Sequence, residues 1–192
     1  MEEQLSAKIY RHIQQDILSH AIDEQTFLTE NELAQKYQVS KAPVRDALHL
    51  LCAQGYLTSF PRKGYLVRRY SRAEVRKIQQ VRTHLEKLAV TLAVHQASEE
   101  DILSLGAYLQ DPQSRPETDP ENASNSAFHM RLAEISGNEY IVSILRDLLH
   151  KICIVWIGED FDVASHQAII DALLQRDEAK ALAALERDLN HG

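Results

Sequence analysis

The sequence predicts a mostly α-helical protein in two parts. Residues 1–70 read as three helices followed by one β-hairpin, and residues 71–192 as an all-helical bundle. Three observations carry this. Only six glycines and five prolines interrupt 192 residues, so most of the chain belongs in regular structure. Apolar residues recur at helical spacing on either side of residues 56–69. Within 56–69 the pattern changes to two β-branched or aromatic runs around a turn.

The elements follow in order. Residues 5–19 place Ile9, His12, Ile13 and Ile17 on one helical face. Residues 20–27 form a polar connection. Thr29 with Glu32 fits a capping box for a short helix, in which Leu33, Ala34 and Tyr37 face inward. Gln38 and Val39 make a turn. Ser40 is a good N-cap for the next helix, and Pro43 is tolerated in its first turn. Val44, Ala47, Leu48 and Leu51 form that helix's inner stripe, and Gly55 ends it. Residues 56–60 and 65–69 are the strands of a hairpin, with Pro61, Arg62, Lys63 and Gly64 at its tip.

From residue 72 the pattern is helix after helix. Residues 72–96 form one long helix, and Ser98 caps a second that runs to about 110. Residues 111–124 hold Pro112, Pro116 and Pro120 and form a loop. Helices follow over 125–136 and, capped by Asn138, over 139–156. A break at 158–161 precedes helices over 163–174 and 178–190, with Asp177 capping the last. That makes six helices in the second part.

Composition excludes several classes. The longest uncharged apolar run, residues 88–95, is too short to span a bilayer. The acidic start of the chain lacks the basic region of a signal peptide, so a cytoplasmic location with no membrane partner is expected. Cys52 and Cys153 form no paired motif and read as buried reduced thiols. The net charge of −7 hides an asymmetry. Residues 36–72 carry eight Lys or Arg against one acid, Asp46, a net of +7, so the rest carries −14. A cluster of one sign is the footprint of a polyanionic partner.

Helix, short helix, turn, longer helix and basic hairpin is the order of a winged helix-turn-helix. The longer helix is apolar on one face and carries Lys41 and Arg45, four apart, on the other. A helix of this kind fits the DNA major groove with its N-terminal residues at the base edges. The hairpin tip can enter the neighbouring minor groove, where Gly64 allows close backbone approach.

Two stretches make this specific: Thr29-Glu30-Asn31-Glu32-Leu33-Ala34, and Val39-Ser40-Lys41-Ala42-Pro43-Val44-Arg45-Asp46-Ala47-Leu48. Together with Gly55-Tyr56-Leu57 and Gly64-Tyr65-Leu66-Val67, they closely resemble the GntR family of bacterial transcription regulators, over about residues 5–69. The resemblance implies a DNA-binding set of Thr29, Asn31, Ser40, Lys41, Ala42 and Arg45 from the helices and Arg62, Lys63 and Gly64 from the wing. Arg45 would be the principal base reader. Asn31 and Lys41 each stand where the family usually has arginine. Lysine lacks the arginine fork, so operator sequence or affinity should differ from the family norm.

The second part holds Arg82-Thr83-His84-Leu85-Glu86, then Phe128-His129 with Leu132-Ala133 and Ser136-Gly137-Asn138, then His166 with Ile169 and Ala172. Over roughly residues 75–190 these resemble the FCD ligand-binding domain of the FadR branch, in its six-helix VanR-like form. The resemblance implies a divalent metal (zinc, nickel or manganese) at Asn125, His129, His166 and Asp188, and a small organic acid effector at Arg82, Asn125, His129 and His166. Asn125 replaces the usual aspartate and Asp188 the usual histidine, so the carboxylate has changed place within the set. Spacing allows the grouping. Asn125 and His129 are four apart on one helix. A turn near 175–177 folds two arms of about 14 and 16 Å side by side, which brings 166 and 188 together. Arg82 has an alternative partner in Glu86, four residues on, in a surface ion pair. His12, His20, His49, His84, His95 and His150 show no ligand spacing and suit surface or capping roles.

The expected protein is a homodimeric regulator, a repressor by family habit, that binds a palindromic operator and needs no organic cofactor. No Gly-rich phosphate loop, Gly-x-Ser-x-Gly or His-Glu-x-x-His signature marks an enzyme. A metal-dependent hydrolase is the competing class, and a DNA-binding adaptor without effector is a third reading.

Overall fold

A computed structural model of the chain describes residues 2–19, 21–22, 25–109, 124–153 and 163–191. Residues 111–123 of the expected proline-rich loop at 111–124, the break at 158–161, the end of a helix at Trp156, His20 and the side chain of Cys153 lie outside the described residues, and Ser124 already belongs to a helix. The chain divides into two compact units, Met1–Ser71 with His150–Val155, and Arg72–Leu149 with Trp156–Gly192.

In the first unit, helices α1 (Glu2–Leu18), α2 (Glu30–Lys36) and α3 (Lys41–Ala53) precede strands β1 (Leu57–Phe60) and β2 (Gly64–Val67). Ile9, Ile13 and Ile17 of α1 meet Val44, Ala47, Leu48 and Leu51 of α3 in a core closed by Leu33, Tyr56 and Val67. The Thr29 capping box is present: the hydroxyl accepts from the Glu32 amide at 3.2 Å, and the Thr29 amide donates to the Glu32 carboxylate at 3.1 Å. Ser40 occupies the N-cap position of α3, but its side chain makes no capping hydrogen bond. The reason is local. An N-cap side chain accepts from the amide of the second or third helical residue; Pro43 is the third and has none, which leaves only that of Ala42.

The strands pair antiparallel from Leu57↔Val67 to Phe60↔Gly64. Leu28, beyond the expected polar connection, exchanges backbone hydrogen bonds with Tyr65 at 2.7 and 2.9 Å, so the hairpin is flanked by a third extended segment. This changes the account of Gly64. Its φ is +114°, and a Cβ there would stand 2.3 Å from the Leu28 carbonyl oxygen. Glycine is therefore required by the wing's own folding, whatever approaches from outside. Cys52 is half-buried rather than buried.

The second unit is helical: α4 (Arg72–Gln96), α5 (Glu99–Ser104), a 3-10 turn (Leu105–Tyr108), α6 (Ser124–Ile135), α7 (Glu139–Cys153, whose last residues from His150 belong to the first unit), α8 (Val163–Leu174) and α9 (Glu178–His191). The helix expected to run to 110 tightens at Leu105 instead, beside Gly106, a poor helix former. Phe128, Leu132, Ile169, Leu173 and Leu185 build the main core with Val90, Ile102 and Leu105. A smaller cluster joins Ala89 of α4 and Ala133 of α6 to Ile141 and Leu145 of α7. Helices α8 and α9 turn back on each other at Gln175–Asp177. The Arg176 guanidinium reaches from that turn to the carbonyls of Val94 (2.9 Å) and Ala97 (2.8 Å), satisfying the C-terminal end of α4. Asp177 caps α9 through the Lys180 amide. His150, expected at the surface, is buried. Among the described residues no helix is long and apolar enough to cross a membrane.

Candidate DNA-binding face and buried histidine–carboxylate centre

Helix α3 alternates two buried and two exposed residues, which puts Lys41, Ala42, Arg45 and Asp46 on its outer face. A groove of about 390 Å³ runs between the start of α2, the start of α3 and the wing. It is lined by Thr29, Glu30, Asn31, Lys41, Arg62, Lys63 and Gly64, among others. Ser40 is exposed at the head of α3. Arg62, at the wing tip, has φ +65°. Arg45 is engaged already: its Nε and Nη2 donate to the two Glu30 oxygens at 2.9 and 2.8 Å. That pair holds the Glu30 carboxyl below its ordinary pKa. Sequence reasoning missed Glu30, because an acid in the first turn of a short helix reads as a helix-start residue and nothing more.

The second centre lies inside the helical unit. His129 of α6 and His166 of α8 are fully buried, and Asp188 of α9 nearly so. The His129 Nε2 lies 3.1 Å from one Asp188 oxygen, and the His166 Nε2 lies 3.1 Å from the other. Asn125 Oδ1 is 3.1 Å from the same His129 nitrogen. The α8–α9 turn thus brings 166 and 188 side by side, and the α6 helix supplies 125 and 129. The ring of Phe128 stacks on His166 at 4.0 Å between centroids.

Glu86 of α4 completes the arrangement. It is fully buried, receives the Arg82 Nε at 2.6 Å, and places its second oxygen 2.5 Å from His129 Nδ1. The Arg82–Glu86 ion pair is therefore present, but buried rather than at the surface. Burial would lower the His129 pKa. The Glu86 charge and the close Asp188 and Glu86 carboxylates together outweigh burial and the nearby Arg82 charge, and the group is pushed up to about 9. Burial would raise Glu86 and Asp188. The charges of His129 and Arg82 hold Glu86 down to about 2, and the two histidines hold Asp188 below its ordinary range. Glu86 was legible only as a helix neighbour of Arg82, since its contact with His129 crosses between helices.

A divalent ion fits this donor set. His129, His166 and Asp188 each offer a ligand atom, all within 4.8 Å of one another. Ligands at roughly 2.0–2.2 Å from a tetrahedral ion stand about 3.3–3.6 Å apart, and each histidine Nε2 lies 3.1 Å from its own Asp188 oxygen. Beside the cluster opens a cleft of about 350 Å³, lined by Arg76, Gln79, Arg82 and His84 of α4, Asn125 of α6, and Asp188 and Asn190 of α9, among others.

Comparison with known proteins agrees with both halves. Residues 5–67 match the family described as bacterial regulatory proteins, gntR family, and residues 77–191 match the FCD domain. The chain is 29% identical to the Nta operon transcriptional regulator of Aminobacter aminovorans, over 81% of this chain and 77% of that protein. It is 25% identical to the HTH-type transcriptional repressor GlaR of Escherichia coli, over 94% and 90%. In fold it resembles the solved structure of E. coli McbR/YncC, with a TM-score of 0.75 at 20% identity, covering 97% of this chain and 93% of that one. These relatives are transcription regulators and not enzymes. A helix-turn-helix with a hairpin wing, joined to a helical unit that matches FCD along nearly its whole length, makes this chain a DNA-binding transcriptional regulator of the GntR family with an FCD domain.

Proposed function

We propose that the chain is a repressor whose hold on a palindromic operator is controlled by a small organic acid bound beside a metal in the FCD unit. The observation that carries this reading is the buried His129–His166–Asp188 cluster opening onto a cleft bordered by Arg82 and Asn125. The DNA contacts are assigned to Thr29, Asn31, Ser40, Lys41, Ala42, Arg45, Arg62, Lys63 and Gly64. Residues 1–70 serve as the DNA-binding domain and 71–192 as the sensing and dimerising domain, in the cytoplasm.

Asn125, His129, His166 and Asp188 would hold the ion, and imidazole with carboxylate suits zinc, nickel or manganese. Bound there, the metal supplies positive charge for a carboxylate oxygen. The chain's own residues do the rest. Glu86 keeps a proton on His129 Nδ1 and so turns Nε2 toward the site, an outer-shell task typical of metal-bound histidine. Arg82 balances the Glu86 charge and borders the cleft. Phe128 holds the His166 ring in plane. Both Arg82 and Glu86 sit on α4, which starts five residues after β2 ends, so the pair lies on the element that follows the wing in the chain.

Coupling of this kind is typically worth about 1–3 kcal/mol, or roughly 5–150-fold. Operator titrations with and without zinc, and with each organic acid that raises the melting temperature, should differ by that factor. Equal operator affinity with and without such an acid would refute effector control and leave the adaptor reading.

Dimerisation follows from a two-fold operator. Helix α4 exposes Val81 and Leu88, seven apart and so on one face, and α7 exposes Tyr140 and Ile144, four apart. A paired Val81→Glu, Leu88→Glu variant should sediment as a monomer and bind a half-site no more weakly than wild type. An intact dimer would place the interface elsewhere.

A further inference from the structure

We propose that Glu30 is a positioning residue that sets the sequence specificity of Arg45. The inference rests on Arg45 being a base reader. Its basis is the bidentate pair: both Glu30 oxygens are taken up by the Nε and Nη2 edge of the guanidinium, at 2.9 and 2.8 Å. Arginine presents five N–H donors in a rigid plane. The Glu30 contact uses the side edge and leaves the end edge, formed by Nη1–H and the second Nη2–H, as a parallel fork. That edge matches the two acceptors of guanine, O6 and N7, in the major groove.

The placement also argues against two simpler roles. Glu30 lies in the groove with Thr29, Asn31, Lys41 and the wing. A carboxylate there repels phosphate, so a face built for affinity alone would not carry one. Nor does the core need the pair, since the Arg45 side chain is 52% exposed and that of Glu30 25%. Exposed ion pairs contribute little to folding. What the pair does achieve is to hold one rotamer of a long side chain that projects from α3. A guanidinium held in one plane pays less on binding and tolerates fewer wrong bases, because another base pair cannot be met by swinging the fork. Lys41, one turn earlier, has no such partner in the hydrogen bonds of the described residues and suits a contact with phosphate, which needs only a point charge.

The test is a double-mutant cycle read as discrimination between sequences. The probe is the duplex that the wild-type protein selects from a random library, together with its single-base-pair substitutions. Wild type should prefer one guanine by roughly 5–150-fold. Arg45→Ala should abolish the preference at that position. Glu30→Gln should cut it several-fold while raising affinity for unrelated DNA, because a negative charge has left the face. In the double variant Glu30→Gln should have no further effect on discrimination. Circular dichroism melting of each variant confirms folding. If Glu30→Gln raises affinity uniformly and leaves the guanine preference intact, Glu30 is a surface charge only and the inference falls. If Arg45→Ala leaves every preference intact, it is the base-reading role of Arg45 that fails.

Discussion

Arg45→Ala is expected to weaken operator binding by about 1–3 kcal/mol, the worth of one bidentate base contact, with the melting temperature almost unchanged. The two effects separate because the side chain stands on the outer face of α3, while the helix is anchored by Val44, Ala47, Leu48 and Leu51 beneath. Only the exposed pair with Glu30 is lost from the folded state, and such pairs are worth little. Fluorescence anisotropy against salt adds a second reading. Lys63→Ala at the wing should lower affinity for all sequences alike and reduce the salt slope by about one counterion, whereas Arg45→Ala should lose sequence preference. Full operator affinity in Arg45→Ala would remove α3 from the major groove.

The second large effect is expected at the buried cluster. Wild-type protein purified without a histidine tag should carry stoichiometric divalent metal by plasma mass spectrometry, and the His129→Ala, His166→Ala double variant should carry none. A metal at a hundred times its dissociation constant stabilises by about 2.7 kcal/mol. On a unit of this size that is a rise on the order of 10 °C in melting temperature. Stripping with chelator should reverse it in wild type and do nothing in the variant. A metal-free wild type after exposure to zinc, nickel and manganese would mean that the cleft takes its acid through Arg82 and the two imidazoles directly.

The sign of the pH dependence follows from the shifted groups. His129 is pushed up to about 9 in the metal-free protein. It must give up the Nε2 proton to bind an ion, so affinity should rise roughly tenfold per pH unit up to that point. Metal-free stability runs differently. The raised His129 contributes fully below its ordinary 6.5, and its share is lost as pH climbs through about 9. The lowered Glu86 contributes above its ordinary 4.5, and its share is lost as pH falls through about 2. Both contributions are whole between about pH 4.5 and 6.5.

The sequence by itself determined the elements and the family. Helical spacing placed the Ile9, Ile13 and Ile17 face, the α3 stripe and the α4 bounds, and the Thr29–Glu32 spacing foretold a cap that the structure contains. These are local properties, decided by residues three or four apart. The histidine–carboxylate set was legible only through the resemblance to FCD domains; the break at Gln175–Asp177 merely allows the arms that carry His166 and Asp188 to lie side by side, as they do.

Tertiary structure decided whatever depends on a partner far along the chain. Gly64 is needed because Leu28, 36 residues earlier, lies against it. Glu86 meets His129 from another helix at 2.5 Å, and Glu30 meets Arg45 across the α2–α3 turn. The physical reason is common to all three. A carboxylate or a glycine has no periodicity of its own, so its role is set by which group stands opposite, and only the folded chain brings that group there.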